Sequence, residues 1–380
     1  MPAPLFRLGD RWTKELLPPL DGRHVIPPAL RAFVLAGMAR RADAPILALV
    51  PGERDAEDLV DDLRLFTEAA IELPAWETLP FEHVSPNEST MAQRAHARHV
   101  LRAGPAGAVV VASVRAAIQV VAPSPVEPAS VRVGETVEFD ALVSRIAGFG
   151  YERVPRVEHR GEFAVRGGII DVFPAEARTP VRVDFWGDDV ESIRTFGISS
   201  QRSEDSLDEL RLFPAKEFRI DTEITEAAAR LRSSEQWAQS TWDLFAEGIS
   251  FPGMESWMPW LVPQLCALHE SDGPVVLFDP VRSWDRGKSL RAEEDDLAEA
   301  LAPTWGTGAP VAGDHPPLYL DLELALGDRP VLHSPPLPAS PDDPILPMRG
   351  FDATPGDPES LVAGIGRLRE QDVQVVIAMD

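Results

Sequence analysis

One cysteine, Cys266, and two tyrosines stand in a chain of 380 residues. A lone cysteine excludes an intramolecular disulfide framework and a thiolate metal cluster, and it suits a reducing, cytoplasmic setting. No uninterrupted apolar run approaches the roughly 18 residues that a membrane span requires. The opening MPAPLFRLGDRWTKELL has no apolar stretch of the kind that marks a secretory signal. Positive charge is the other scarcity, with 36 Lys and Arg against 61 Asp and Glu, a net charge of −25. The imbalance is concentrated in residues 216–380, which hold 12 basic and 29 acidic side chains. Nucleic-acid binding draws on cations that neutralise phosphates. A chain with no global positive field therefore points to a protein partner or a small ligand before DNA.

Length suggests two or three domains, and 44% apolar residues are enough for sizeable cores. The first 130 residues alternate helix and strand signals. ALRAFVLAGMARR (29–41) reads as a buried helix, PILALV (45–50) as a buried strand and GERDAEDLVDDLRLF (52–66) as an amphipathic helix. A turn-rich segment follows over 71–89, then a helix over 90–104 ending at a glycine, then the buried strand AVVVASV (108–114). Continuous apolar strands alternating with helices predict a parallel sheet covered by helices. APSPVEPAS (122–130) breaks the pattern. Beyond it a helix is expected over 139–150, with Asp140 as N-cap and Gly148 as stop, then extended segments over 162–174 and 181–198. The second of these turns at Gly187-Asp188-Asp189, a hairpin signal. Residues 131–213 thus read as a small α+β unit with an antiparallel sheet.

Helix returns over 224–248, a strand over 275–280 and a charged helix over 290–302. Eight prolines in 334–358 predict a surface connector. Asp357 then caps a helix over 359–371, and VQVVIAM (373–379) reads as a strand completing the first sheet. A strand with no helix after it is an odd stopping place for a parallel α/β protein, so the sequence reads as a piece of a longer chain. The expected organisation is a first α/β segment over 1–130, an inserted domain over 131–213 and a second α/β segment over 214–380.

Chemistry-bearing motifs are few. The only Gly-Lys-Ser, Gly287-Lys288-Ser289, has Arg282 where a phosphate-binding loop G-x-x-x-x-G-K-[ST] needs its first glycine, and no strand is read close before it. His96 and His99 share a helix face without a third ligand nearby, so no metal site is expected. No nucleophile motif is present. No catalytic residue, metal or cofactor is assigned.

One strand stands out. In Val181–Trp186 alternate residues face opposite ways, with Val181, Val183 and Phe185 inward and Arg182, Asp184 and Trp186 outward. Tryptophan and arginine side by side on an outward face match the composition of protein–protein hot spots. Arginine is also dense over 151–182, at Arg153, Arg156, Arg160, Arg166 and Arg178. Two readings stand at this point. In one these residues form an interface. In the other Trp186 packs under a loop and the arginines pair with Glu158, Glu162 and Asp171.

EFAVRGGIIDVFPAEARTPVRVDFWGDDVESIRTF (162–196) resembles the signature shared by the excision-repair protein UvrB and the transcription-repair coupling factors. AWETLPFEHVSPNES (75–89), YERVPRVEHRGEFAVRGG (151–168) and ISSQRS (198–203) are similar to the coupling-factor form, and VVVASVRAAIQ (109–119) to both. The resemblance runs over about 70–215. It implies a helicase-like, UvrB-like α/β domain in two segments, without the ATP-binding loop and tyrosine-rich hairpin of UvrB, with an inserted domain that binds UvrA. It further implies an N-terminal, non-catalytic adaptor that recruits UvrA to RNA polymerase stalled at lesions. RNA polymerase and DNA would be engaged only by domains outside these residues, where ATP is hydrolysed. The family's contact residues, two arginines and an aromatic, fall on Arg166, Arg182 and Trp186, the last usually phenylalanine in the family. The alternatives are a working part of an ATP-dependent DNA translocase and a UvrB-like binder of damaged DNA.

Overall fold

A computed structural model of the chain describes residues 17–122, 127–262, 265, 272–306, 308–310, 314–346 and 357–371. The first part runs β1 (Gly22–Arg23), α1 (Arg31–Ala39), β2 (Ile46–Val50), α2 (Glu53–Leu63), β3 (Ala70–Leu73), α3 (Glu88–Ala103), β4 (Val109–Ser113) and α4 (Val114–Ile118). The middle holds β5 (Ala129–Arg132), α5 (Phe139–Gly148), β6 (Glu152–Arg153), β7 (Glu162–Arg166), β8 (Ile169–Val172), β9 (Val181–Trp186), β10 (Asp189–Phe196), β11 (Ser203–Leu207) and β12 (Glu209–Leu212). Helices α6 (Thr222–Ser234), α7 (Gln239–Ala246) and α8 (Met258–Leu261) lead to β13 (Val275–Phe278), α9 (Pro280–Leu301), α10 (Leu322–Leu326), β14 (Val331–Ser334) and α11 (Pro358–Glu370).

Strands from both ends of the chain build one parallel sheet, in the order β1-β14-β13-β2-β4-β3. Its central strands β2, β4 and β13 are buried at every residue, because helices cover both faces. The middle segment forms a second sheet, β11-β10-β9-β8-β7-β6, antiparallel except for its β6–β7 edge pair, and a small antiparallel pair of β5 and β12. A third core gathers α6, α7 and α8 around Trp237, Trp242, Trp257 and Trp305.

Several local expectations change. The turn-rich 71–89 begins with β3, an edge strand with Glu72 half-buried in it. Asp140 is not the N-cap of α5, which starts one residue earlier behind Glu138. The single helix expected over 224–248 is two, broken where Ala238 takes a left-handed conformation and donates its N–H to Trp305 O at 2.7 Å. Helix α9 starts at Pro280, directly behind β13, so Gly287-Lys288-Ser289 follows a strand after all, seven residues into a helix. There the Cα of Gly287 packs toward Leu322 and Val114, a helix–helix contact and not a phosphate loop. Asp357 does cap α11, accepting from Ser360 N at 3.0 Å. The strand expected over 373–379 lies outside the described residues.

Helix α3 joins the two sheets. Ala97, Val100 and Leu101 pack into the core beneath the parallel sheet, while Ala92 belongs to the core of the second sheet. Between them the helix buries Arg94 and Arg98, and Glu217, just beyond β12, comes to meet them. Glu217 accepts from Arg94 Nε at 2.7 Å and from Trp76 Nε1 at 2.6 Å, with Arg98 Nη1 at 3.9 Å. The three side chains are 0%, 2% and 4% exposed, arginines first. Near this joint Tyr151 donates to Phe213 O at 3.1 Å and accepts from Ala175 N at 3.2 Å. The neighbouring Glu176 is desolvated, which pushes its carboxyl up to about 7.

Removing one member of a buried charge cluster strands the others. Glu217→Leu is expected to cost about 3 kcal/mol in urea unfolding, more than any exposed Glu→Leu change on α9. Glu176 supplies a second test. Its carboxyl has an ordinary value of 4.5 and a folded value of about 7, so the folded state holds the proton more tightly. Its stability contribution is full below pH 4.5 and is lost as pH rises through 7. Glu176→Gln, which cannot ionise, is therefore expected to stabilise the protein at pH 8 by up to about 3 kcal/mol, and the gain should vanish at pH 4.

Candidate protein interface

The second sheet has an inner face that packs on α5 and an outer face, and the sequence decides which residues go where. Along β9, Val181, Val183 and Phe185 are buried, Arg182 and Asp184 are half-buried and Trp186 is exposed. Turns at the ends of the hairpins set the edge of the outer face. The β7–β8 turn uses Gly167 at φ +59°, and a Cβ on Gly168 would lie 2.7 Å from Phe185 O. Arg166 thus sits at the hairpin end, paired with Ile169. The β9–β10 turn has Gly187 at φ +63° and pairs Trp186 with Asp189. Its tip is fixed to the start of α5, where Asp188 Oδ1 accepts from Phe139 N at 3.1 Å.

The outer face is half covered. Val154 and Val157 lie over Ala164, Phe173 and Phe196, closing a small apolar cluster. At its border Arg182 grips Asp171 with both prongs, Nε to Oδ1 at 2.6 Å and Nη2 to Oδ2 at 2.8 Å. Its third nitrogen donates to Gln201 O at 3.3 Å, and the guanidinium stacks 5.0 Å over Phe196. Asp171 is 2% exposed and Arg182 17% in their side chains. The hydrogen bonds that Arg182 donates to Asp171 push its guanidinium further up as a base, against desolvation.

The other half is open. Arg166, Ile169, Asp184, Glu191, Ser192 and Arg194 line a shallow depression. Ser192 Oγ donates to Asp184 Oδ2 at 2.7 Å, and Arg166 Nη2 donates to Pro155 O at 2.8 Å. Trp186 stands beside it, two residues along β9 from Asp184, and is 76% exposed.

The structure bears on the packed reading of this strand in two opposite ways. Trp186 is not under a loop. Arg182, however, pairs with Asp171 as the structural alternative required, and Arg156 meets Glu158 at 3.3 Å. Among the described residues Glu162 pairs with no arginine; it accepts from the N–H groups of Glu158 and His159. Arg166 and Trp186 are surface residues of one face, and Arg182 is half beneath it. Arg194 escaped the sequence reading. A bulge after Val190 leaves buried positions at Val190, Ile193 and Phe196, every third residue, which disguises the strand's outward side.

Elsewhere, His96 and His99 do share a face, and it packs on Phe213, with ring centroids at 4.6 and 5.7 Å. Burial, His99 and Arg211 lower the His96 pKa. Among the described residues no cluster of three or more His, Cys, Asp or Glu is placed to hold a metal ion. Among them, too, no helix is long and apolar enough to cross a membrane.

Residues 129–218, which include this whole face, match the UvrB interaction domain family. The chain is 36% identical over 308 residues to the transcription-repair-coupling factor of Mycobacterium tuberculosis, covering 75% of this chain and 25% of that one. Over three quarters of its length the chain is homologous to transcription-repair-coupling factors. That of Myxococcus xanthus is 34% identical over 298 residues, 72% of this chain and 24% of the other. That of Escherichia coli is 30% identical over 241 residues, 60% and 20%. The chain spans about a quarter of the length of the curated relatives it matches. It carries a UvrB interaction domain on a mixed α/β scaffold.

Proposed function

We propose that this chain is the N-terminal adaptor module of a transcription-repair coupling factor. It recruits UvrA to RNA polymerase stalled at a DNA lesion, for nucleotide excision repair in the cytoplasm. The docking surface is the outer face of the second sheet. The observation that carries this reading is Trp186, 76% exposed beside an arginine-lined depression within the UvrB interaction domain. A large aromatic left in water has an unfavourable surface that a partner's pocket relieves, and Trp and Arg dominate such hot spots. Arg166 supplies charge-assisted hydrogen bonds to partner carboxylates.

The mechanism is recognition without catalysis in this chain, with no metal or cofactor. Contacts with RNA polymerase, DNA and ATP belong to parts of the coupling factor outside these residues. A net charge of −25 agrees with a module that leaves DNA to others.

Calorimetric titration with UvrA tests the reading. The chain is expected to bind at micromolar affinity or better. Trp186→Ala should cost about 2 kcal/mol or more of binding, and Arg166→Ala/Trp186→Ala should abolish it with the fold intact, whereas adding Arg182→Ala, which strands the buried Asp171, should also lower the melting temperature. Absence of binding by the intact chain would contradict the reading. ATP turnover by the purified chain, lost in Lys288→Ala, would favour the translocase alternative, and salt-dependent binding to a lesion-bearing duplex the damage-binding one.

A further inference from the structure

We infer that the loop 77–88 is a second interface of the scaffold, one that docks into an apolar hollow edged by Lys or Arg on another part of the same coupling factor. The inference rests on the reading of this chain as one module of a longer protein, and it does not involve the UvrA face.

The loop lies between β3 and α3 and is held from beneath at several points. Phe81 takes a left-handed conformation, φ +64°, a strained one for phenylalanine. Its buried ring meets Trp305 and Trp260, with centroids at 5.1 and 6.2 Å. Its N–H donates to the buried Ser256 Oγ at 3.1 Å. Ser85 Oγ donates to Glu255 Oε2 at 2.6 Å and accepts from Gly253 N at 3.0 Å. Glu255 is 2% exposed, and burial pushes its carboxyl up. A Cβ on Gly253 would lie 2.4 Å from Glu82 O, so the two segments touch backbone to backbone. Arg115 Nη2 donates to Thr78 O at 2.7 Å, and Glu82 Oε2 accepts from Leu79 N at 2.9 Å. A buried carboxylate and a strained aromatic residue are costly means of fixing a surface turn, and strain of this kind gathers at functional places. With Phe81 turned in, the turn holds Leu79 46% exposed and Val84 61% exposed.

Charge and area together say what covers these side chains. Ile249, 44% exposed, belongs to the segment that Gly253 brings against the loop. Residues 77–88 hold Glu77, Glu82 and Glu88, and 247–255 hold Glu247 and Glu255, with no Lys or Arg in either stretch. Of the cations nearby, Arg115 is 15% exposed in its side chain and Lys216 lies half-buried against Gly150. A complementary surface is therefore apolar at its centre and basic at its rim. A second copy of this chain would bring like charge to like. Three part-exposed aliphatic side chains offer a few hundred Å² at most, against the roughly 1,000 Å² that two separate proteins need for a stable interface. A tethered partner needs less, because its linker holds it at about millimolar effective concentration. The coupling factors have room for such a partner, since the match spans 25% of the one from Mycobacterium tuberculosis.

Hydrogen exchange of this chain alone and of the full-length protein it comes from, each as wild type and as Leu79→Glu/Val84→Glu, tests the inference. Among the described residues the His83 and Val84 N–H groups make no hydrogen bond, so they exchange fast in the isolated chain. They are expected to slow about tenfold or more in the full-length protein and to regain the fast rate in its double variant. Melting of the isolated chain should not change with the substitutions, because both side chains face water. Equal exchange over 77–88 in the isolated chain and the full-length wild type overturns the inference. Protection that survives in the double variant overturns it too, since the cover then does not rest on Leu79 and Val84. Sedimentation of the isolated chain as a dimer that the double variant loses would make a second copy the occupant and overturn the inference. Loss of UvrA binding by the double variant would assign the loop to the UvrA surface, with the same result. Failure of the intact chain to bind UvrA removes the docking reading and leaves this inference standing on the exchange result.

Discussion

Glu217 meets Arg94, Arg98 and Trp76 where water scarcely reaches, and the placement of the second sheet's outer face follows from that meeting. Arg94 and Arg98 stand on α3, which packs against the parallel sheet, and Glu217 follows the last strand of the inserted segment. A buried carboxylate between two guanidiniums tolerates little displacement, because any gap leaves a charge with neither water nor a partner. Arg94 is further fixed by Pro74 O and Gln119 Oε1 at 2.9 and 3.0 Å. On the other side Arg219 donates to Gly148 O at 2.9 Å, tying the return of the chain to the end of α5. The second sheet is thus held on its platform by directional polar contacts as well as by apolar packing. Its outer face has a defined orientation, which a docking surface requires if encounter is to lead to one complex.

The face itself is organised by a division of labour among cations. Apolar residues cover one half, and the Asp171–Arg182 pair closes the border between the covered and open halves. The other half keeps the guanidiniums of Arg166 and Arg194 exposed to water. Arg166 and Arg194 line that half together with Asp184 and Glu191, so it presents charges of both signs in a chain that is acidic overall.

Much of this was legible in the sequence where burial is total or strictly alternating. The runs that became β2, β4 and β13 are continuous because both faces of the sheet are covered, and Val181–Trp186 alternates because only one face is. What escaped depends on partners far along the chain. Strand β3 holds only four residues with a half-buried Glu72, and β14 is recognisable only from its pairing with β13. The break between α6 and α7 carries neither proline nor glycine; its left-handed Ala238 is held by Trp305, 67 positions away. At the site the outward direction of Trp186 could be counted from the period, but the commitment of Arg182 to Asp171 could not. It needs the cross-strand register, and the Arg194 bulge hides the next strand in the same way.

The central claim is that the outer face of the second sheet is where UvrA docks. Hydrogen exchange of the chain with and without UvrA reads this directly, since amides under a formed interface slow while others do not. The account predicts added protection concentrated in 165–170 and 184–195, around Arg166, Trp186 and Arg194, with the parallel sheet unchanged. Binding without protection there, or protection confined to the helices that cover the parallel sheet, would contradict it.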